Sequence, residues 1–227
     1  MYLSEKKNFS FNADEVLDLI NEKTRLLIIN NPQNPTGGLI EKSEINKLVD
    51  GLKKFPQVVI FSDEIYSRQI YDGKSMPSFF YYPELYNRLI VMDGWSKTYA
   101  MTGWRLGWSV WPKNLIENVT KMAINSYSCV SSANQVAALT ALEGPHEFLD
   151  DMMKKFDKRR NLIVDGLNSL PGIKCNKPGG AFYVFPNISE TGITGEVFSK
   201  KCLFDAGVAV VPGTSFGQSC TNFVRFS

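Results

Sequence analysis

Histidine is almost missing from this sequence: 227 residues contain one, His146. That nearly excludes serine–histidine–aspartate and cysteine–histidine nucleophile systems, and zinc sites built on several imidazoles. In "EGPHEF" this histidine reads as a surface residue at a helix end. Cysteine is scarce as well. Cys129, Cys175, Cys202 and Cys220 lie far apart and form no C-x-x-C pair. This argues against a zinc ribbon, a dithiol redox motif or a disulfide scaffold, and for a reducing compartment. Neither sign of charge is in excess: 25 basic and 23 acidic residues leave a formal net charge of +2. Such a balance gives no reason to expect nucleic acid or an anionic membrane surface as partner. No apolar run approaches the roughly 20 residues of a membrane span. The opening "MYLSEKKNFS" carries charge where a secretory signal has its apolar region. Repeats and low-complexity tracts are absent too. The expectation is a cytoplasmic protein, and any catalysis must rest on lysine, tyrosine or carboxylate.

What is present is enough apolar residue, 44%, for a sizeable core. "DEVLDLINEK" (14–23) and "EKSEINKLVDGLKKF" (41–55) have helical apolar spacing, the second with Ser43 as its expected cap. "LLIIN" (26–30), "VVIFSD" (58–63), "RLIVMDG" (88–94) and "LGWSVW" (106–111) read as buried strands. Strands alternating with helices imply an α/β fold with a mostly parallel sheet, whose function gathers at the carboxyl ends of the strands. Asn30, Asn31, Asp63 and Asp93 stand at such ends. From Pro112 the pattern changes to long helices, including an amphipathic one over 146–170, and then to a smaller α+β unit. We expect a large domain over 1–150 and a small one over 151–227. The first strand follows a single helix and the last meets Ser227, so the chain is expected to be the partial form of both domains.

Four stretches carry unusual residues. "NNPQNPTGG" (30–38) is a strand-end loop, or simply a turn, since Asn, Pro and Gly favour turns for local reasons. "SDEIYSRQIYDG" (62–73) puts Asp63 at a strand end and Tyr66 three residues on; a helix-capping aspartate beside a packed tyrosine would look the same. "DGWSKTYAMTGWRLGW" (93–108) sets Ser96, Lys97 and Arg105 among glycines and tryptophans, although either cation could snorkel to solvent. "NFVRFS" places Arg225 in an apolar strand, where a guanidinium needs an ion pair or a ligand. Together they form a chemical set. A desolvated lysine can attack a carbonyl and form a Schiff base. A strand-end aspartate can hold a pyridinium N–H, and a tyrosine or asparagine can bond a phenolate oxygen on the same ring. Two arginines can clamp a phosphate and a carboxylate. Pyridoxal 5'-phosphate (PLP) demands those parts.

These stretches also resemble, in order and approximate spacing, the class I/II aminotransferases, PLP-dependent enzymes of fold type I. "NNPQNPTG" is similar to the family's N-P-x-N-P-T-G loop and "SDEIY" to its Asp/Tyr strand end. "GWSKTYAMTGWRLG" resembles the PLP-lysine signature, "GGAFYVFP" and "GVAVVPGTSFG" its small-domain segments, and "FVRFS" its terminal arginine motif. The resemblance implies an aminotransferase that moves an amino group between an amino acid and a 2-oxo acid. It implies that Lys97 forms the internal aldimine and then shuttles the substrate's α-proton. Asp63 would pair with the pyridine nitrogen, and Asn34 and Tyr66 would bond the ring's phenolic oxygen. Arg105, with Ser96, would hold the phosphate, and Arg225 the substrate carboxylate. It also implies a frequent cis peptide at Asn34–Pro35 and a homodimer in the full-length form. Trp95 departs from the smaller or Phe residue usual at its position and would alter packing behind the lysine. Family members are longer, so an N-terminal part and a final helix are expected outside this chain. Another fold type I reaction, such as C–S lysis or aminocyclopropane-carboxylate synthesis, uses the same residues. A non-catalytic, aminotransferase-like sensor domain of a regulator is the rival from another class. The preferred amino acid stays open.

Overall fold

In the computed structural model, which describes residues 1–227, a four-stranded sheet and two helices build the first part of the chain. Helix α1 (Ala13–Leu19) starts at Asn12, whose side chain accepts from the Asp14 amide. Asp14 and Glu15 in its first turn complement the positive end of the helix dipole. Strand β1 (Leu26–Asn30) follows. Helix α2 (Lys42–Leu52) buries Ile45, Leu48, Val49 and Leu52, an i, i+3, i+4, i+7 stripe. Then come β2 (Val59–Asp63), β3 (Leu89–Gly94), the single turn α3 (Trp95–Thr98) and β4 (Gly107–Val110). Two local expectations need correction. The first helix stops at Leu19, because Ile20 already has extended backbone. Ser43 caps nothing: it lies inside α2, and Glu41 holds the cap position without a side-chain bond. The neighbouring Glu44 instead accepts from the Ala13 amide at 2.6 Å, satisfying a free N–H at the start of α1 from across the layer.

The sheet order is β1-β2-β3-β4, with the first three strands parallel and β4 antiparallel to β3. Register pairs Asn30 with Asp63 and Asp63 with Met92. Asn30, Asp63 and Asp93 therefore line one edge, where open α/β sheets present ligand sites. Ile29, Ile60, Leu89 and Val91 pack from the sheet against Val16, Ile45, Leu48 and Leu52 of the helices. The other face is open at its margins. Ile28 is 65% exposed and all of β4 is exposed. The expectation that β1 and β4 are buried fails because both are edge strands and α1 and α2 cover one face of the sheet.

Beyond β4 lie α4 (Ile116–Tyr127), α5 (Ser132–Glu143), α6 (Glu147–Asn168), α7 (Gly195–Ala206) and the antiparallel pair β5 (Val211–Pro212) and β6 (Val224–Arg225). The "GAFYVFP" segment and the Asn187 that follows it bridge to the residues flanking β6, Val184 to Phe226 and Asn187 to Phe223. Residues near the start of the chain pack here too. Asn176 donates to the Glu5 carbonyl at 2.6 Å and Asn187 to the Glu5 carboxylate at 2.9 Å. Phe9 meets Phe185 and Phe223 edge-on.

Backbone at very close range joins the two halves. Gly179 and Gly180 both donate to the Gly37 carbonyl, at 2.9 and 3.0 Å, and Ala181 donates to the Gln69 carbonyl at 2.8 Å. Only hydrogen fits at Gly37 and Gly180. A Cβ on Gly180 would stand 2.5 Å from Pro32 Cγ, and Gly37, at φ +66°, has Pro178 in the same place. Arg160 of α6 reinforces the joint. It is 4% exposed, grips Asp72 with both Nη atoms (2.9 and 2.6 Å), reaches the Pro178 carbonyl and lies 4.1 Å from the Tyr71 ring centre.

Candidate functional site

Lys97 sits on α3, one turn past the carboxyl end of β3. Its Nζ lies 5.5 Å from the Phe182 ring centre and 5.9 Å from that of Tyr66. Gln69 donates to the Lys97 carbonyl at 3.1 Å and fixes the turn. The amine belongs to none of the chain's ion pairs. Asp63, at the end of β2, is half-buried and accepts from the Ile65 amide at 3.2 Å. Burial pushes its carboxyl above the usual aspartate range, and the Ile65 bond offsets part of that rise. On the next turn Tyr66 is 3% exposed, its hydroxyl 2.8 Å from that of Tyr183. Burial, then the Tyr183 bond, pushes the Tyr66 phenol far above its ordinary range, so it stays protonated.

The 30–38 loop meets the last strand. Both Asn31–Pro32 and Asn34–Pro35 are cis. The Asn34 amide donates to Asn30 Oδ1 at 2.7 Å. Arg225 Nη1 donates to Asn34 Oδ1 at 3.0 Å, and the guanidinium lies 4.6 Å from the Tyr183 ring centre and 5.1 Å from that of Phe216. Its Nε is buried without a partner, and no carboxylate comes within ion-pair range. The ion-pair alternative for Arg225 is thereby removed.

The structure brings together Asn34, Asp63, Tyr66, Lys97 and Arg225 through Tyr183, Phe182 and the strand ends. It does not bring in Arg105 by any hydrogen bond or ion pair. Arg105 is exposed, has left-handed backbone (φ 54°) and donates to the Thr102 carbonyl at 2.9 Å. Ser96 is half-buried on α3. Trp104 and Trp108, the tryptophans that flank Arg105 in sequence, are 46% and 44% exposed. The apolar surroundings of Lys97 come from Phe182 and Tyr66 instead. Trp95 packs behind α3, donating from Nε1 to the Ala138 carbonyl at 3.1 Å. His146 stands at the cap of α6 with a ring nitrogen 3.3 Å from the Ala141 carbonyl.

Sequence reasoning passed over several groups. Phe182 borders Lys97 and Tyr183 meets Tyr66 and Arg225; their one local signal is an aromatic pair just after Gly179, Gly180 and Ala181. Glu64, 6% exposed, accepts from Ser62 and Ser78 at 2.8 Å each. Asp93, which the sequence does place at a strand end but without a role, accepts from Ser67 at 2.7 Å. Burial raises both carboxyls above their usual range.

The site therefore offers a guanidinium with a free buried N–H, an amine without an acidic partner, a carboxyl suited to a cationic N–H and a buried phenol. PLP would present an aldehyde carbon, a ring N–H and a phenolic oxygen, and an amino acid a carboxylate, so the residues at the ring and carboxylate ends fit the pair. A family model described as "Aminotransferase class I and II" matches residues 1–227. An aspartate aminotransferase of Pyrococcus abyssi is 40% identical over 225 residues, 98% of this chain and 57% of the relative. The crystal structure of an aromatic aminotransferase from Pyrococcus horikoshii OT3 superimposes with a TM-score of 0.94 at 38% identity, over 99% of this chain and 60% of that one. That of an aspartate aminotransferase from Rhizobium meliloti gives 0.92 at 35% identity, over 100% and 59%. The chain thus spans under two thirds of the length of the proteins it matches, and its fold is that of the PLP fold type I aminotransferases.

Proposed function

Because the chain belongs to the class I and II aminotransferase family, we propose that the whole protein is a PLP-dependent aminotransferase exchanging an amino group between an amino acid and a 2-oxo acid. The observation that carries this reading is Arg225, a guanidinium with one buried N–H free and no carboxylate of its own. Such a group suits a substrate carboxylate, held by forked hydrogen bonds.

PLP, when bound, supplies an electron sink for the substrate α-carbon. The chain supplies the rest. Asp63 holds the ring's N–H in its ionised form, a pairing that offsets the cost of burying its charge. Tyr66 and Asn34 direct hydrogen bonds to the ring's phenolic oxygen. Lys97 Nζ would hold the cofactor at its aldehyde carbon and, as a free amine, would be the base that moves the proton at the substrate α-carbon. Phe182 and Tyr66 exclude water from one side of that amine. Ser96 and Arg105 are assigned to the phosphate by their place in the lysine signature. Arg105 would have to turn inward from its bond to Thr102.

Unpaired cysteines suit a reducing compartment, and the proposal places the protein in the cytoplasm. No helix is long and apolar enough to cross a membrane. A homodimer is part of the same reading, supported by exposed apolar side chains such as Met122 and Val136.

The test adds PLP to the whole protein and to its Lys97→Ala variant, then treats both with borohydride. The expected result is a reducible visible band in the first and none in the second. A band of equal size in the variant removes Lys97 from its role. Amino-acid consumption that needs a 2-oxo acid supports transfer, whereas release of ammonia without an acceptor means a lyase.

A further inference from the structure

Tyr66 and Tyr183 are 3% and 5% exposed, and their hydroxyls share one hydrogen bond of 2.8 Å. Two hydroxyls carry two protons, and one bond uses one of them. The second proton has no acceptor in the chain. Lys97 Nζ lies over the Tyr66 ring and Arg225 over the Tyr183 ring, and cations accept nothing. A buried donor of this kind needs an acceptor from outside the chain.

We infer that Tyr183 is a positioning residue with two separable tasks: its hydroxyl aims the Tyr66 proton at the ligand, and its ring holds the Arg225 guanidinium. The proposal rests on the cofactor reading above and concerns a residue with no role in it. When Tyr183 donates to the Tyr66 oxygen, the Tyr66 proton is left with one direction, outward, and the chained bond strengthens it as a donor. The same ring, 4.6 Å from the guanidinium carbon, sets the plane in which Arg225 meets a carboxylate. Asn34 holds the guanidinium from another side. The lysine-side donor and the carboxylate clamp thus share one side chain, delivered by the glycine-hinged segment 179–183 that docks on Gly37 and Gln69.

Two variants separate the tasks. Tyr183→Phe keeps the ring and removes the hydroxyl; Tyr183→Leu removes both. Both are made in the whole protein and loaded with PLP. A donor on the ring's phenolic oxygen favours that oxygen without its proton. Losing the Tyr183 bond therefore raises the pH midpoint of the visible band, by roughly half a unit, a threefold change in proton affinity. Asp63 and Arg225 also act on Tyr66; both stay in place in Tyr183→Phe, which keeps the ring, so that variant reads the hydroxyl alone. The second readout is the dissociation constant of 2-methylalanine, an amino acid with no α-proton to lose. Tyr183→Phe leaves it within about twofold, and Tyr183→Leu raises it about threefold to thirtyfold. An unmoved midpoint in Tyr183→Phe overturns the hydroxyl's task. Equal carboxylate affinity in the two variants overturns the ring's. Wild-type protein that takes up no PLP overturns the cofactor reading, and this inference with it. A normal wild-type band with indifferent variants overturns the inference alone.

Discussion

Arg225 and Asn34 stand 191 positions apart in sequence, and one 3.0 Å hydrogen bond from guanidinium to amide oxygen joins the last strand to the Asn-Pro loop. The bond holds the guanidinium without neutralising it. Replacing Arg225 by Lys removes the fork and the flat face that rests on Tyr183 and Phe216. The expected result in steady-state kinetics is a fall in kcat/KM of about 10- to 100-fold. Asn34→Ala leaves the charge and the stacking in place, so its effect on amino-acid KM is smaller than that of Arg225→Lys.

Asp63 should make cofactor binding sensitive to acid. Its carboxyl is raised by burial, so it takes up a proton at a higher pH than an ordinary aspartate, whose pKa is about 4. A protonated acid cannot pair with a cationic ring N–H. The dissociation constant of PLP should therefore rise as pH falls through that raised range. Asp63→Asn should bind more weakly at neutral pH and lose this component of the pH dependence. Equilibrium titration of both proteins between neutral and mildly acid pH measures it.

Arg160 is a stability residue. Removing it leaves Asp72 and Asp157 without their partner and the Pro178 carbonyl without its donor. Both carboxylates are about half-exposed, which puts the cost of Arg160→Ala at the low end for a broken buried pair, about 3 kcal/mol. Urea unfolding measures it. The bond to Arg160 holds the Asp72 carboxyl below its usual range. The stability it contributes is complete above the ordinary aspartate pKa and is lost as pH falls through the depressed one. Asp72→Asn should flatten that acid limb.

The glycine joint gives a steric prediction. Gly180→Ala drives a methyl into Pro32, and Gly37→Ala adds unfavourable backbone at φ +66° to a collision with Pro178. Each should cost about 2 kcal/mol or more in urea unfolding. Gly73→Ala, also at positive φ (+66°) but with no atom within 4 Å of the added methyl, isolates the backbone share of the Gly37 cost.

Much of the first half is legible in local pattern. The apolar run ending in Asp63 marks a parallel strand and the edge where ligands sit, because a strand between neighbours must be apolar and its end must not; the run ending in Asn30 marks a strand too, although at the sheet's edge. The Ile45, Leu48, Val49, Leu52 stripe marks α2 for an equally local reason. What escaped depends on partners remote in sequence. Glu44 reaches back to α1, and Tyr183 meets Tyr66 across 117 positions. No periodicity encodes such distances. Arg105 shows the opposite failure. Tryptophans and glycines around a cation suggest a dry setting, yet burial is decided by what packs over the segment, and here Trp104 and Trp108 face outward.

The packing of Glu5 and Phe9 against residues 176–223 has a consequence for biosynthesis. Glu5 leaves the ribosome 182 residues before Asn187, its partner. At roughly 5–20 residues per second, that is about ten to forty seconds. During that interval Phe9 has none of its aromatic neighbours in the small unit. These contacts of Glu5 and Phe9 can form only after residues 176–223 have been made, so this part of the small unit closes late.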